Sequence, residues 1–149
     1  MKLSFLIVCV IVTLFACEVK TKINPAPIEG TWKLVTGSLI EKGDTTVTDY
    51  TQDREMIKII NATHFSFLNH DTNKGSDTTR LFAAGGGKYF FDNGEYTEFL
   101  EYCSDRQWEG HEFKFRVDIK GDTLVQSGTE VIENLGINRL NIEKYVRLR

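Results

Sequence analysis

The sequence predicts an all-β body of about eight short antiparallel strands joined by hairpin-like turns, built as an up-and-down barrel or a sandwich. Three observations carry this. Gly and Asn/Asp residues punctuate the chain at short intervals from Glu29 onward. Between them, Phe113, Phe115, Val117 and Ile119 alternate with Glu112, Lys114, Arg116 and Asp118, the period of two of a strand with one dry and one wet face. No long stretch shows the spacing of an amphipathic helix.

Ahead of the body, Met1-Lys2 opens an apolar run from Leu3 to Phe15 that ends at Ala16-Cys17. A basic start, a short apolar stretch and a small residue describe a secretory signal. The run falls short of the roughly 20 residues that span a bilayer. Leu14-Phe15-Ala16-Cys17 resembles the lipobox of bacterial lipoproteins, which implies that residues 1–16 are a signal peptide and that Cys17 carries diacylglycerol. Residues 17–28 read as the lipidated cysteine and a flexible tether, polar and interrupted by Pro25 and Pro27. Glu18 stands where an inner-membrane retention signal has aspartate. The resemblance therefore implies a cell-envelope protein, anchored in the outer membrane and facing the periplasm.

The body spans residues 29–149. After the Glu29-Gly30 turn, Thr31–Ile40 is β-rich. Asn61-Ala62 separates Glu55–Ile60 from Thr63–Asn69, a hairpin signal. Gly85-Gly86-Gly87 divides Leu81–Ala84 from Lys88–Phe91 and suggests a bulge or a sharp bend. Asp92-Asn93-Gly94 is a turn before Glu95–Cys103. Trp108–Ile119 leads through Lys120-Gly121-Asp122 to Thr123–Ser127, and Arg139–Leu148 closes the chain. Gly43–Gln52 and Glu130–Asn138 read as irregular, the latter with room for one short turn of helix.

Glu29-Gly30-Thr31-Trp32-Lys33-Leu34 places Gly-x-Trp at the start of the first body strand. Together with Ile142–Arg147 at the far end, it resembles the lipocalins and the wider calycin group, in the form of small lipoproteins of Gram-negative bacteria. The resemblance implies an all-β, eight-stranded up-and-down antiparallel β-barrel. It also implies that Trp32 plugs the closed end, with Arg147 or Arg139 of the last strand packed across its indole as a cation–π pair. The disulfides of secreted lipocalins are absent, and Thr48-Asp49-Tyr50 falls too early to be their second motif.

Composition narrows the function classes. The net charge of −3 is interspersed and there is no basic stripe, so no nucleic-acid partner is expected. With Cys9 in the expected signal and Cys17 the acylation site that the lipobox resemblance implies, Cys103 stands alone and reads as a small buried hydrophobe rather than a nucleophile. A monomer or weak dimer is expected.

A small barrel's interior is its obvious site. Phe65, Phe67, Phe82, Tyr89, Tyr96, Leu100, Tyr102, Phe113 and Phe115 are the candidate lining, suited to a small hydrophobic ligand. The same rings would also fill a closed core. In Glu95–Cys103 neither face is wholly apolar. Glu98 is the carboxylate placed to point inward beside tyrosine hydroxyls, as a site for a polar head group or a general acid or base, unless that face is simply solvated.

The histidines His64, His70 and His111 are scattered. A single one serves heme in nitrobindin-type barrels, but no spacing signature supports heme here. Asp71–Asp77 has the oxygen-rich look of a calcium loop, with its Gly one place too early for an EF-hand. No catalytic residue, metal site or cofactor is expected, because no nucleophile–base pair or ligand cluster stands out. The expected function is non-covalent binding of a small apolar ligand near the membrane. The alternative is an envelope interaction lipoprotein with a filled core, working through its loops on a protein partner.

Overall fold

The computed structural model describes residues 27–76, 78 and 80–149. The signal peptide, Cys17 and the tether up to residue 26 lie outside the described residues. Nine strands follow in order: β1 (Gly30–Glu41), β2 (Asp44–Asp49), β3 (Arg54–Ile60), β4 (His64–Asp71), β5 (Phe82–Asp92), β6 (Glu95–Cys103), β7 (His111–Lys120), β8 (Thr123–Ile132) and β9 (Ile137–Leu148). Short 3₁₀ turns at Arg106–Trp108 and Glu133–Leu135 precede β7 and β9.

Every strand pairing is antiparallel between neighbours from β3 through β9. Strand β1 then pairs with β9 on one edge and β3 on the other, which closes eight strands into an up-and-down barrel. The fold class read from the sequence is the one observed. Strand β2 pairs only with the far half of β1 and lies outside the closed wall.

Local chemistry explains most boundaries. The Asn61 side chain accepts hydrogen bonds from the backbone N–H groups of Thr63 (2.9 Å) and His64 (2.8 Å), which tightens the β3–β4 turn. The Asp71 carboxylate accepts from Gly75 N–H (2.6 Å) and Leu81 N–H (2.8 Å), so it closes the long β4–β5 connection, and the backbone bonds hold its carboxyl below the usual carboxylate range. The calcium-like letters of this segment thus serve as an Asx-stabilised loop.

Three readings of the sequence change. Gly43–Gln52 contains strand β2, whose largely exposed residues give no inward-outward alternation. Leu81–Ala84 and Lys88–Phe91 are not two strands. Strand β5 runs continuously through the Gly triplet. Gly128–Ile132, read in part as a loop, extends β8.

One end of the barrel is shut by side chains. The Trp32 indole is fully buried, and its Nε1–H donates to the Ile28 carbonyl at 2.8 Å. The Arg147 guanidinium lies 4.0 Å over the indole and donates to the carbonyls of Glu29 (2.7 Å) and Pro27 (2.9 Å). This contact combines a cation–π stack with satisfied carbonyls at the chain's entry into the body. Gly30 has φ +137°, and a Cβ there would collide with the Arg147 guanidinium, so the Gly of Gly-x-Trp is required by the plug. Arg147, not Arg139, is the closing residue. Ile28, counted with the tether in the sequence, is fully buried against this plug.

Candidate functional site

The opposite end is open. A cavity of about 260 Å³ enters the barrel between Tyr50, Trp108 and Arg139 and reaches inward to Lys58, Glu98, Gln126 and Glu143. The two halves of its wall differ. Strands β3 to β7 supply Met56, Phe67, Leu100, Phe113 and Phe115, with Lys58, Asn69 and Glu98 set among them; strands β8 and β9 supply Gln126, Glu130, Asn141 and Glu143. The result is a cup whose hydrocarbon surface lies on one side, interrupted by three polar groups, and whose other side is hydrogen-bonding.

Its deepest feature is a buried ammonium. Lys58 is only 4% exposed because Met56, Lys58 and Ile60 share the inward parity of β3. Its Nζ donates to Glu98 Oε1 at 2.7 Å and to Gln126 Oε1 at 3.0 Å, and lies 3.9 Å from Glu143 Oε2. The rings of Tyr145, Tyr96 and Phe65 surround it, their centroids 5.3, 5.7 and 5.9 Å away. Desolvation opposes the charged form of Lys58, yet the neighbouring carboxylates outweigh it and raise its pKa, so the amine stays protonated. For Glu98, 7% exposed, burial pushes the carboxyl above its ordinary range, and the Lys58 ammonium offsets only part of that. The Tyr145 hydroxyl donates to Glu143 Oε2 at 2.7 Å. The Tyr96 hydroxyl is buried beside the Glu98 carboxylate, and that burial, with the Glu98 charge, raises its pKa far beyond the usual phenol.

At the mouth, Glu130 is fully engaged. It accepts from Arg139 Nε at 2.7 Å on one oxygen and from Asn141 Nδ2 at 2.8 Å on the other. The Arg139 guanidinium also stacks 5.0 Å over the Trp108 ring, and Trp108 packs on Phe113 at 5.8 Å. Asp105 caps the 3₁₀ turn that carries Trp108.

Five of the ten expected lining residues do line the cup: Phe67, Glu98, Leu100, Phe113 and Phe115. Phe65, Tyr89 and Tyr96 instead form a packed aromatic layer between the cup and the Trp32 end. Tyr89 sits 5.5 Å from Tyr96, and its hydroxyl donates to the Asn61 carbonyl at 2.8 Å. Phe82 and Tyr102 are corrections: they are 71% and 69% exposed and face away from the interior. For Tyr102 the cause is a bulge, because Gly87 pairs with Leu100 but Gly86 pairs with Tyr102, leaving Glu101 as the extra residue and inverting the parity beyond it. Cys103 is thereby turned to the cup, where burial raises its thiol pKa. None of the three histidines lines the cavity.

Lys58, Gln126, Asn141 and Glu143 escaped the sequence reading. Their only signal was parity: Lys58, Gln126 and Glu143 each stand two places from an inward apolar or aromatic residue on the same strand, Met56, Leu124 and Tyr145, and Asn141 shares the parity of Glu143.

Outside the wall, β4, β5 and the end of β6 border a second groove of about 480 Å³ over Gly85–Gly87, with Leu68, Tyr102, His64 and Arg106 around it. No family model, no curated protein and no solved structure matches the chain.

Proposed function

We propose that the protein is a lipid-anchored binding cup at the cell envelope, tethered through Cys17 and holding a small amphipathic molecule inside a lipocalin-like barrel. The observation that carries this reading is the 260 Å³ cavity, open at the Tyr50–Trp108–Arg139 end and closed by Trp32 and Arg147 at the other. That volume lies at the lower end of small-molecule sites, which run about 300–1,000 Å³, so the ligand is small. The split wall narrows the expected apolar ligand to one with a hydrocarbon or aromatic face and a polar end. The open volume also weighs against a filled core that acts only through loops.

Native mass spectrometry of the gently purified protein tests the cup. A small-molecule adduct that leaves on denaturation is expected, and it should be lost when Ala83→Trp blocks the rim while the circular dichroism of the barrel persists. An adduct that survives Ala83→Trp would place the ligand outside the cup. The anchor has its own test: Cys17→Ser should abolish metabolic labelling by a fatty acid, and persistent labelling would remove the lipoprotein reading.

A further inference from the structure

Six charged residues line the cup, Lys58 and Arg139 against Glu98, Asp105, Glu130 and Glu143. Neither cation is free. The Lys58 ammonium is taken by Glu98 and Gln126, and the Arg139 guanidinium by Glu130 and the Trp108 ring. Acceptors, by contrast, are left over. Glu143 has only a hydroxyl at 2.7 Å and an ammonium at 3.9 Å, both on the same oxygen, Oε2. The buried Oδ1 of Asn69, another lining residue, has no partner among the described residues. An anion entering this space would meet four carboxylates against two cations, each cation already paired with a carboxylate. A fatty acid is therefore the wrong class of ligand, although the apolar half-wall would suit its tail.

We propose that the cup, if it binds a small molecule as argued above, takes an organic cation: a primary or secondary ammonium held by the free oxygen of Glu143 and by Asn69 Oδ1, with its apolar part against Met56, Leu100, Phe113 and Phe115. The Lys58 ammonium already shows that this interior stabilises one such charge, among three rings and two carboxylates. The ligand would supply the second cation that the carboxylates call for.

A head-group series on one chain length tests this on the full-length protein. Binding of n-hexylammonium, 1-hexanol and hexanoate is measured by calorimetry at one pH and ionic strength. The expected order is ammonium over alcohol over carboxylate, the first step roughly ten- to a hundredfold, the range of a charge-assisted hydrogen bond. Glu143→Gln, which keeps the shape and the acceptor for Tyr145, should erase most of that step, bringing the ammonium close to the alcohol. Equal affinities, or hexanoate as the tightest, would overturn the cation assignment and leave the cup standing. No binding by any of the three, with the barrel folded, would overturn both.

Discussion

Lys58→Met is expected to destabilise the barrel by about 3–5 kcal/mol, the usual consequence of removing one partner from a buried ion pair. The argument rests on an asymmetry. One ammonium serves two carboxylates, Glu98 at 2.7 Å and Glu143 at 3.9 Å, and all three side chains are largely removed from water. Taking the cation leaves both negative charges uncompensated. Taking one carboxylate, as in Glu98→Gln, leaves Lys58 with Glu143, the Gln126 carbonyl oxygen and a new amide acceptor, so its cost should stay below about 2 kcal/mol. Urea unfolding with a common slope measures both. Equal losses would show that the two carboxylates are not shared.

The pH dependence has a definite sign. Glu98, facing Lys58, Glu143, Gln126 and Tyr96, has a folded pKa raised above its ordinary value. A group raised in the folded state contributes stability below its unfolded pKa, about 4.3 for Glu, and loses that contribution as pH climbs through the folded value. The stability of the natural protein relative to Glu98→Gln should therefore be greatest in acid and decline toward neutrality. In Lys58→Met, protonation of the uncompensated carboxylates relieves the penalty, so its gap to the natural protein should narrow as pH falls. Lys58 is also raised, so its own contribution holds below about pH 10.4 and fades only beyond its folded value.

Gly87→Ala is expected to cost about 3 kcal/mol, the upper part of the range for forced overpacking. A Cβ at Gly87 would collide with the Phe99 carbonyl oxygen and stand 2.8 Å from the Glu101 backbone nitrogen. Both are main-chain atoms of the bulge and cannot rotate away. Ser66→Ala, on the outward face of the neighbouring strand, should change stability by less than about 0.5 kcal/mol. A thermal-melt comparison of the two decides. If they lie together, the close approach of β5 to β6 is not a constraint.

The strands were legible wherever one face is wet. Strand β7 announces itself through Phe113 to Ile119, and the plug through Gly30, Trp32 and a basic residue near the end. The failures share a physical cause: parity is readable only if the register is unbroken and the interior is uniformly apolar. Glu101 breaks the register, so simple alternation puts Tyr102 on the wrong face. The Gly triplet reads as punctuation, because the sequence does not show the neighbouring backbone that excludes side chains at Gly86 and Gly87. The interior is not uniformly apolar either. In Glu55–Ile60 each face carries one charge, and only the three-dimensional meeting of β3, β6, β8 and β9 reveals that Lys58 has inward partners to receive it. Glu98 was legible as an anomaly, but its partner, 40 residues earlier in the chain, was not.

The seam between β1 and β9 has a consequence for how the chain is made. Thr31 pairs with Leu148 and Ile40 with Leu140, so the first strand of the body waits for the last. During synthesis the sheet from β3 to β8 can assemble hairpin by hairpin, each pairing local. Until β9 emerges, β1 and β8 present bare edges, and such edges invite pairing with other chains. Closure is thus a late, non-local step. A chain that stops before Ile137 keeps most of its residues, yet it loses Asn141, Glu143, Tyr145 and Arg147 together: one half of the polar wall, the ring beneath the ammonium, and the bolt on the closed end.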